Sequence, residues 1–164
     1  MHADRSIDRS PMMFRWPSLA AVVLLLVCSS QAAEFFGGAG SAADPFQIAT
    51  AQQLVSIADD STLLTRYFVL VNDIDLDPNL PGGQVFTRAV IAFDEDPYRG
   101  PAVGYSGRFY GQGYAIRNLT IDAPGMQRVG LFGRIAPPGR VYDLVLEDVR
   151  ITAPDHAGAL AGIN

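Results

Sequence analysis

The sequence predicts an all-β chain that opens a stacked β-solenoid, with one short helix ahead of its first turns. Three observations carry this. From Gly107 to Asn164 one short unit is stated twice. Ile116-Arg-Asn-Leu-Thr-Ile121 is echoed by Val141-Tyr-Asp-Leu-Val-Leu146, and Val129-Gly-Leu-Phe-Gly133 by Gly158-Ala-Leu-Ala-Gly162. A repeat of about 25 residues lies in the range where each unit cannot bury its apolar face alone and must stack on a neighbour. The strand candidates are too short to survive as isolated hairpins, and after Asp60 no helical pattern separates them. A β-sandwich built from the same strands is the alternative.

Residues 1–33 read as a secretory signal. Arg5, Arg9 and Arg15 precede the apolar run Leu19-Ala-Ala-Val-Val-Leu-Leu-Leu-Val27, and small residues follow in Cys28-Ser-Ser-Gln-Ala-Ala33. The run is shorter than the roughly 20 apolar residues that span a bilayer. Cleavage is expected after Ala32 or Ala33, leaving no transmembrane span and no cysteine. Met12 or Met13 would set the positive charge directly against the apolar run. Leu25-Leu-Val-Cys28 faintly resembles a lipoprotein signal, but Val27 is too large for the position before a lipidated cysteine. Export by ordinary cleavage, to the exterior or the cell surface, is the expectation.

Residues 34–66 form a lead-in and a cap. Gly37-Gly-Ala-Gly40 is not a phosphate loop, because no strand precedes it and no Gly-Lys-Ser/Thr follows. Asp44-Pro45 turns the chain into a short extended piece. Thr50 and Gln53 have capping-box spacing, and Leu54, Ile57 and Ala58 share one face, so a helix is predicted over 50–60. Such a helix would cover the open end of a stacked core.

Residues 67–164 are the expected coils. Tyr67-Phe-Val-Leu-Val-Asn-Asp-Ile-Asp-Leu-Asp77 reads as one strand, with Ile74 and Leu76 on one side and Asp73, Asp75 and Asp77 on the other. Val85 to Phe93 is a second strand candidate, and the acidic stretch from Asp94 to Gly104 a loop. Phe109, Ile116, Leu119 and Ile121 supply an apolar side, with a corner at Gly111 and Gly113. Val129–Ile135, Val141–Leu146 and Val149–Thr152 complete the set.

The chain is 49% hydrophobic and carries a formal charge of −5, all twelve of its basic residues being arginine. That balance excludes a nucleic-acid binder, which needs a basic stripe. Asp73, Asp75 and Asp77 are the calcium candidates. Against the EF-hand template, however, Pro78 replaces the glycine and Gln84 the bidentate glutamate. Carboxylates on a solvated strand face, bonded to loop backbone, are the preferred reading. Asp94, Glu95 and Asp96 are too close together to supply the two separated carboxylates of glycoside cleavage. His156 stands without a second histidine or a cysteine after the signal, so neither a zinc site nor a triad is expected. It is placed in the turn before the last glycine motif. Asn118-Leu-Thr120 fits a glycosylation pattern but falls in a strand candidate, where a stacked asparagine is the expectation. No catalytic residue and no cofactor is predicted.

Phe36 to Leu54, Tyr67 to Leu76, Phe109 to Leu119 and Val129 to Gly133 appear in the order seen in bacterial secreted proteins with the GLUG motif. His156-Ala-Gly-Ala-Leu-Ala-Gly-Ile-Asn164 resembles that motif itself, with alanine where glycine or valine is usual. The resemblance implies a right-handed parallel β-helix of the cell surface or exterior, adhesin-like and usually longer, with no assigned catalytic residues. It also implies truncation after the first full motif, or another element to cap the last coil. The expected function is non-catalytic adhesion, scaffolding or binding, with an extracellular polysaccharide or surface protein as partner. A carbohydrate-active β-helix enzyme is the competing reading, by fold analogy alone. A remnant unable to fold stably is the third.

Overall fold

The computed structural model describes residues 35–93 and 104–164, which belong to one unit, Gln31–Asn164. β1 (Phe46–Ile48) leads to helix α1 (Ala51–Ser56). Thr50 accepts a hydrogen bond from the Gln53 amide, while the Gln53 side chain accepts from Thr50 and Ala49 at 3.2 and 2.8 Å. The capping box therefore closes in both directions. The helix is shorter than predicted. It ends at Ser56 and tightens into 3₁₀ turns at Ile57–Asp59 and Ser61–Thr65. Asp60 starts the second turn by accepting from the Thr62 amide at 2.8 Å. Leu54, Ile57 and Leu64 are buried, and Ala58 is half-buried.

The strands that follow have two to four residues each. They are β2 (Tyr67–Leu70), β3 (Ile74–Asp75), β4 (Arg108–Tyr110), β5 (Ala115–Arg117), β6 (Thr120–Asp122), β7 (Gln127–Val129) and β8 (Phe132–Arg134). The last pass repeats the order with β9 (Arg140–Tyr142), β10 (Val145–Glu147), β11 (Arg150–Thr152), β12 (Asp155–Ala157) and β13 (Ala161–Ile163). Each of β4 to β8 pairs in parallel with the strand five places later. Sheets accordingly run β1-β2-β4-β9 and β3-β5-β10, with β6-β11, β7-β12 and β8-β13 beside them. All ladders between these strands are parallel. Hairpin-linked sandwich strands would pair antiparallel.

Several sequence expectations are corrected. The predicted strand over 67–77 bends between β2 and β3, because its two halves belong to different sheets. Ile74 and Leu76 are buried as the alternation predicts. The segment 85–93 is not a strand: its β-pairing is limited to single bridges, Phe86 to Ile121 and Ile91 to Phe132, while Phe86, Val90 and Ile91 pack into the core. Val129–Ile135 breaks at Gly130-Leu131, between β7 and β8. The repeat is about 30 residues, not 25. Ile116 stacks on Leu146 and Ile121 on Ile151, so Ile116–Ile121 lies over 146–151 and not over Val141–Leu146. The Gly-Leu-Phe-Gly echo is in register, with Phe132 paired to Ala161.

Asn118 also departs from the strand expected for it. It sits at the corner between β5 and β6 with φ of 58°, and Asp148 repeats that left-handed corner one pass later at 52°. Asparagine and aspartate tolerate this conformation because a short polar side chain can bond locally.

Aromatic rings fill the interior. Phe46 and Phe109 each pack on Phe68, Tyr105 on Phe68 and Phe132, and Phe109 edge-on against Phe132 at 5.7 Å. Tyr105 is buried, and its hydroxyl donates to the Arg66 carbonyl at 3.0 Å. Leu70, Ile74, Ile116, Leu119, Ile121 and Leu131 complete the packed layers. Val141, Leu144, Leu146, Val149 and Ile151 pack against the same interior and are half-buried.

Candidate functional site

Two outward-facing arrangements collect the polar side chains. The first is an acid–arginine ladder beside β3, β5 and β10. Asp75, Arg117 and Glu147 occupy one register position on three strands. Asp73 accepts from the Ala115 amide at 2.9 Å and pairs with Arg117 at 2.9 Å, while Arg117 also pairs with Glu147. Asp75 accepts from the Asn118 side chain and the Asp77 amide, each at 2.9 Å. Asp77 in turn accepts from both nitrogens of Asn79, at 2.9 and 2.7 Å.

The Ala115 amide, with Arg117 beside it, holds the Asp73 carboxyl below its ordinary pKa. Asn118, then the Asp77 amide, does the same for Asp75. Glu147 and Asp73 raise that of Arg117. The three calcium candidates are thus drawn into separate contacts with backbone, amide and guanidinium donors. Among the described residues, no three His, Cys, Asp or Glu side chains group to hold a metal. Asp75 and Asp77 line a shallow pocket with Val55, Leu76, Leu80 and Phe86.

The second arrangement lies on the outer face of β1-β2-β4-β9. Phe68, Phe109 and Val141 point inward in register, so their neighbours point outward. One outer row holds Tyr67, Arg108 and Arg140, and the next holds Val69, Tyr110 and Tyr142. The Tyr110 and Tyr142 rings stack at 5.3 Å, only 11° from parallel. Arg108 donates to the Tyr142 hydroxyl at 3.1 Å, and its guanidinium carbon lies 5.9 Å from the centre of the Tyr67 ring. Hydrogen bonding to Tyr67, with Tyr142 and Tyr110 nearby, raises the Arg108 pKa.

Sequence reasoning passed over this face. Its signal is the pair Arg108-Phe-Tyr110 and Arg140-Val-Tyr142, which align at an offset of 32 residues, slightly longer than that of the neighbouring strands. Asp94, Glu95 and Asp96 lie outside the described residues, as does Cys28. His156 is in β12 rather than in a turn, exposed, with φ of 48° and its ring 2.9 Å from Asp155. Among the described residues no helix is long and apolar enough to cross a membrane.

No protein-family model matches the chain, and no solved structure matches it. Two curated proteins are similar to it. Halomucin of Haloquadratum walsbyi is 28% identical over 131 residues, covering 77% of this chain and 1% of the relative. A protein of Evansella cellulosilytica, named as a Gly-rich membrane protein, is 36% identical over 135 residues, covering 79% of this chain and 14% of the relative. The chain therefore spans a small part of each relative it matches.

Proposed function

We propose that residues 67–164 are coils of a right-handed parallel β-helix, a GLUG-type module exported through the N-terminal segment. It would be displayed outside the cell for non-catalytic binding or scaffolding. The observation that carries this reading is the strand-for-strand parallel stacking of β4–β8 on β9–β13. Right-handed connections are the rule for parallel strands, because a right-twisted strand returns to its sheet only that way. The names of the two relatives, Halomucin and a Gly-rich membrane protein, support a surface-associated role. The acid ladder is consumed in holding strands together, which suits a scaffold better than a reacting site.

The test is expression of the whole chain in a bacterial host, followed by protease treatment of intact cells and mass measurement of the processed N-terminus. Processing after Ala32 or Ala33, with the product in the medium or accessible to protease, is expected. An unprocessed, protected chain would overturn export. Cleavage of acidic polysaccharides by the purified protein, lost in Asp94→Ala or Asp96→Ala, would replace the binding module by the enzyme.

A further inference from the structure

We propose that the outer face of β1-β2-β4-β9 binds a uronate-bearing polysaccharide, with its carboxylates on Arg108 and Arg140 and its sugar rings against Tyr110 and Tyr142. This deepens the reading of an extracellular binding module and rests on it. The argument begins with charge. Arg108 and Arg140 are direct register partners on neighbouring parallel strands, which lie about 4.8 Å apart. Like charges at such positions oppose pairing. Elsewhere the molecule counters an arginine in a ladder, since Arg117 lies between Asp73 on one side and Glu147 on the other.

On this face no such neutralisation occurs among the described residues. Arg108 is surrounded by the phenols of Tyr67, Tyr110 and Tyr142, and Arg140 has no ion-pair partner among the described residues. A chain with formal charge −5 thus keeps two register-paired arginines on this face with no ion pair among the described residues. Guanidinium binds carboxylate with two parallel hydrogen bonds, so a pair of them fits a ligand that repeats its carboxylates.

The tyrosines identify the rest of the ligand. Tyr110 and Tyr142 form a continuous aromatic wall beside the arginine row. A tyrosine ring offers an apolar surface and a hydroxyl together, as the mixed C–H and O–H surface of a sugar requires. Both rows run along the stacking direction, so a linear polymer can lie across successive strands. Nucleic acid is disfavoured by the net charge of the chain.

The experiment is affinity electrophoresis and titration calorimetry of the whole chain with polygalacturonate, methyl-esterified polygalacturonate, dextran and sulfated dextran. Binding to polygalacturonate that weakens with salt is expected. Arg140→Gln and Tyr142→Ala should each weaken it about five- to tenfold. Arg150→Gln, on β11, should leave it unchanged, and all three variants should melt near the parent. Equal binding by Arg140→Gln and the parent would overturn the proposal. So would preference for the esterified, neutral or sulfated polymers, or no binding at all. Protease accessibility on cells is measured separately, so failure of export and failure of this site are distinguishable.

Discussion

At Asn118 a single side chain sets a corner and joins two passes. Its backbone is left-handed and its amide donates to Asp75 at 2.9 Å. Asn118→Ala is expected to lose about 1–2 kcal/mol, because alanine carries the steric cost of that conformation. Asn118→Gly should lose less, forfeiting the bond to Asp75 but not the backbone angle. Thermal unfolding of the two variants measures the difference. Asp73 and Asp75 supply a pH dependence of definite sign. Their carboxyls are held below the ordinary value in the folded chain. Their contribution is therefore complete above the unfolded-state pKa of about 4 and is lost as pH falls through the lower folded value. The melting temperature should be level from pH 7 to 5 and decline below about pH 4, with a shallower decline in Asp73→Asn. An identical acid limb in parent and variant would remove Asp73 from that account.

Among the elements, α1 is held by its first turn. Thr50→Ala breaks one half of the capping box and is expected to cost about 1 kcal/mol, read from the denaturant midpoint. The β2–β4 step depends on close approach of backbones. A Cβ on Gly107 would collide with the Arg66 carbonyl, so Gly107→Ala should be far more damaging than Gly125→Ala, where nothing stands in the way. Phe109 is fully buried between Phe68 and Phe132, and Phe109→Ala should cost about 3–5 kcal/mol. The cap was legible because it is local: four consecutive residues contain both partners. Strand lengths were less legible. The run from Tyr67 to Asp77 alternates as one strand would, yet its bend depends on which sheet each half joins.

Across the whole molecule, burial falls along the stacking direction. β2, β4 and β5 hold fully buried residues, whereas β9–β13 hold only half-buried or exposed ones. Amide exchange in this polypeptide should be slowest in β2, β4 and β5, and faster through the last pass. Uniform protection from β4 to β13 would contradict that gradient. The same stacking explains the repeat register. Within the last pass, Val141–Leu146 and Leu146–Ile151 both carry aliphatic residues at the first, fourth and sixth places and aspartate at the third. Either can mimic Ile116–Ile121 by pattern, and only one can lie over it.

Side-chain chemistry along the chain was sufficient for the all-β class, the capping box and the inward set of Ile74, Leu76, Phe109, Ile116, Leu119 and Ile121. These follow from local bonding and from the need to hide apolar surface, both of which act over a few residues. Register, the corner at Asn118 and the coming together of Arg108, Tyr110, Arg140 and Tyr142 belong to the folded chain. They follow from parallel pairing between residues about 30 apart. A periodic sequence offers several alignments of similar apolar match. Core packing and steric fit at the glycines select one, and that one places two arginines and two tyrosines side by side.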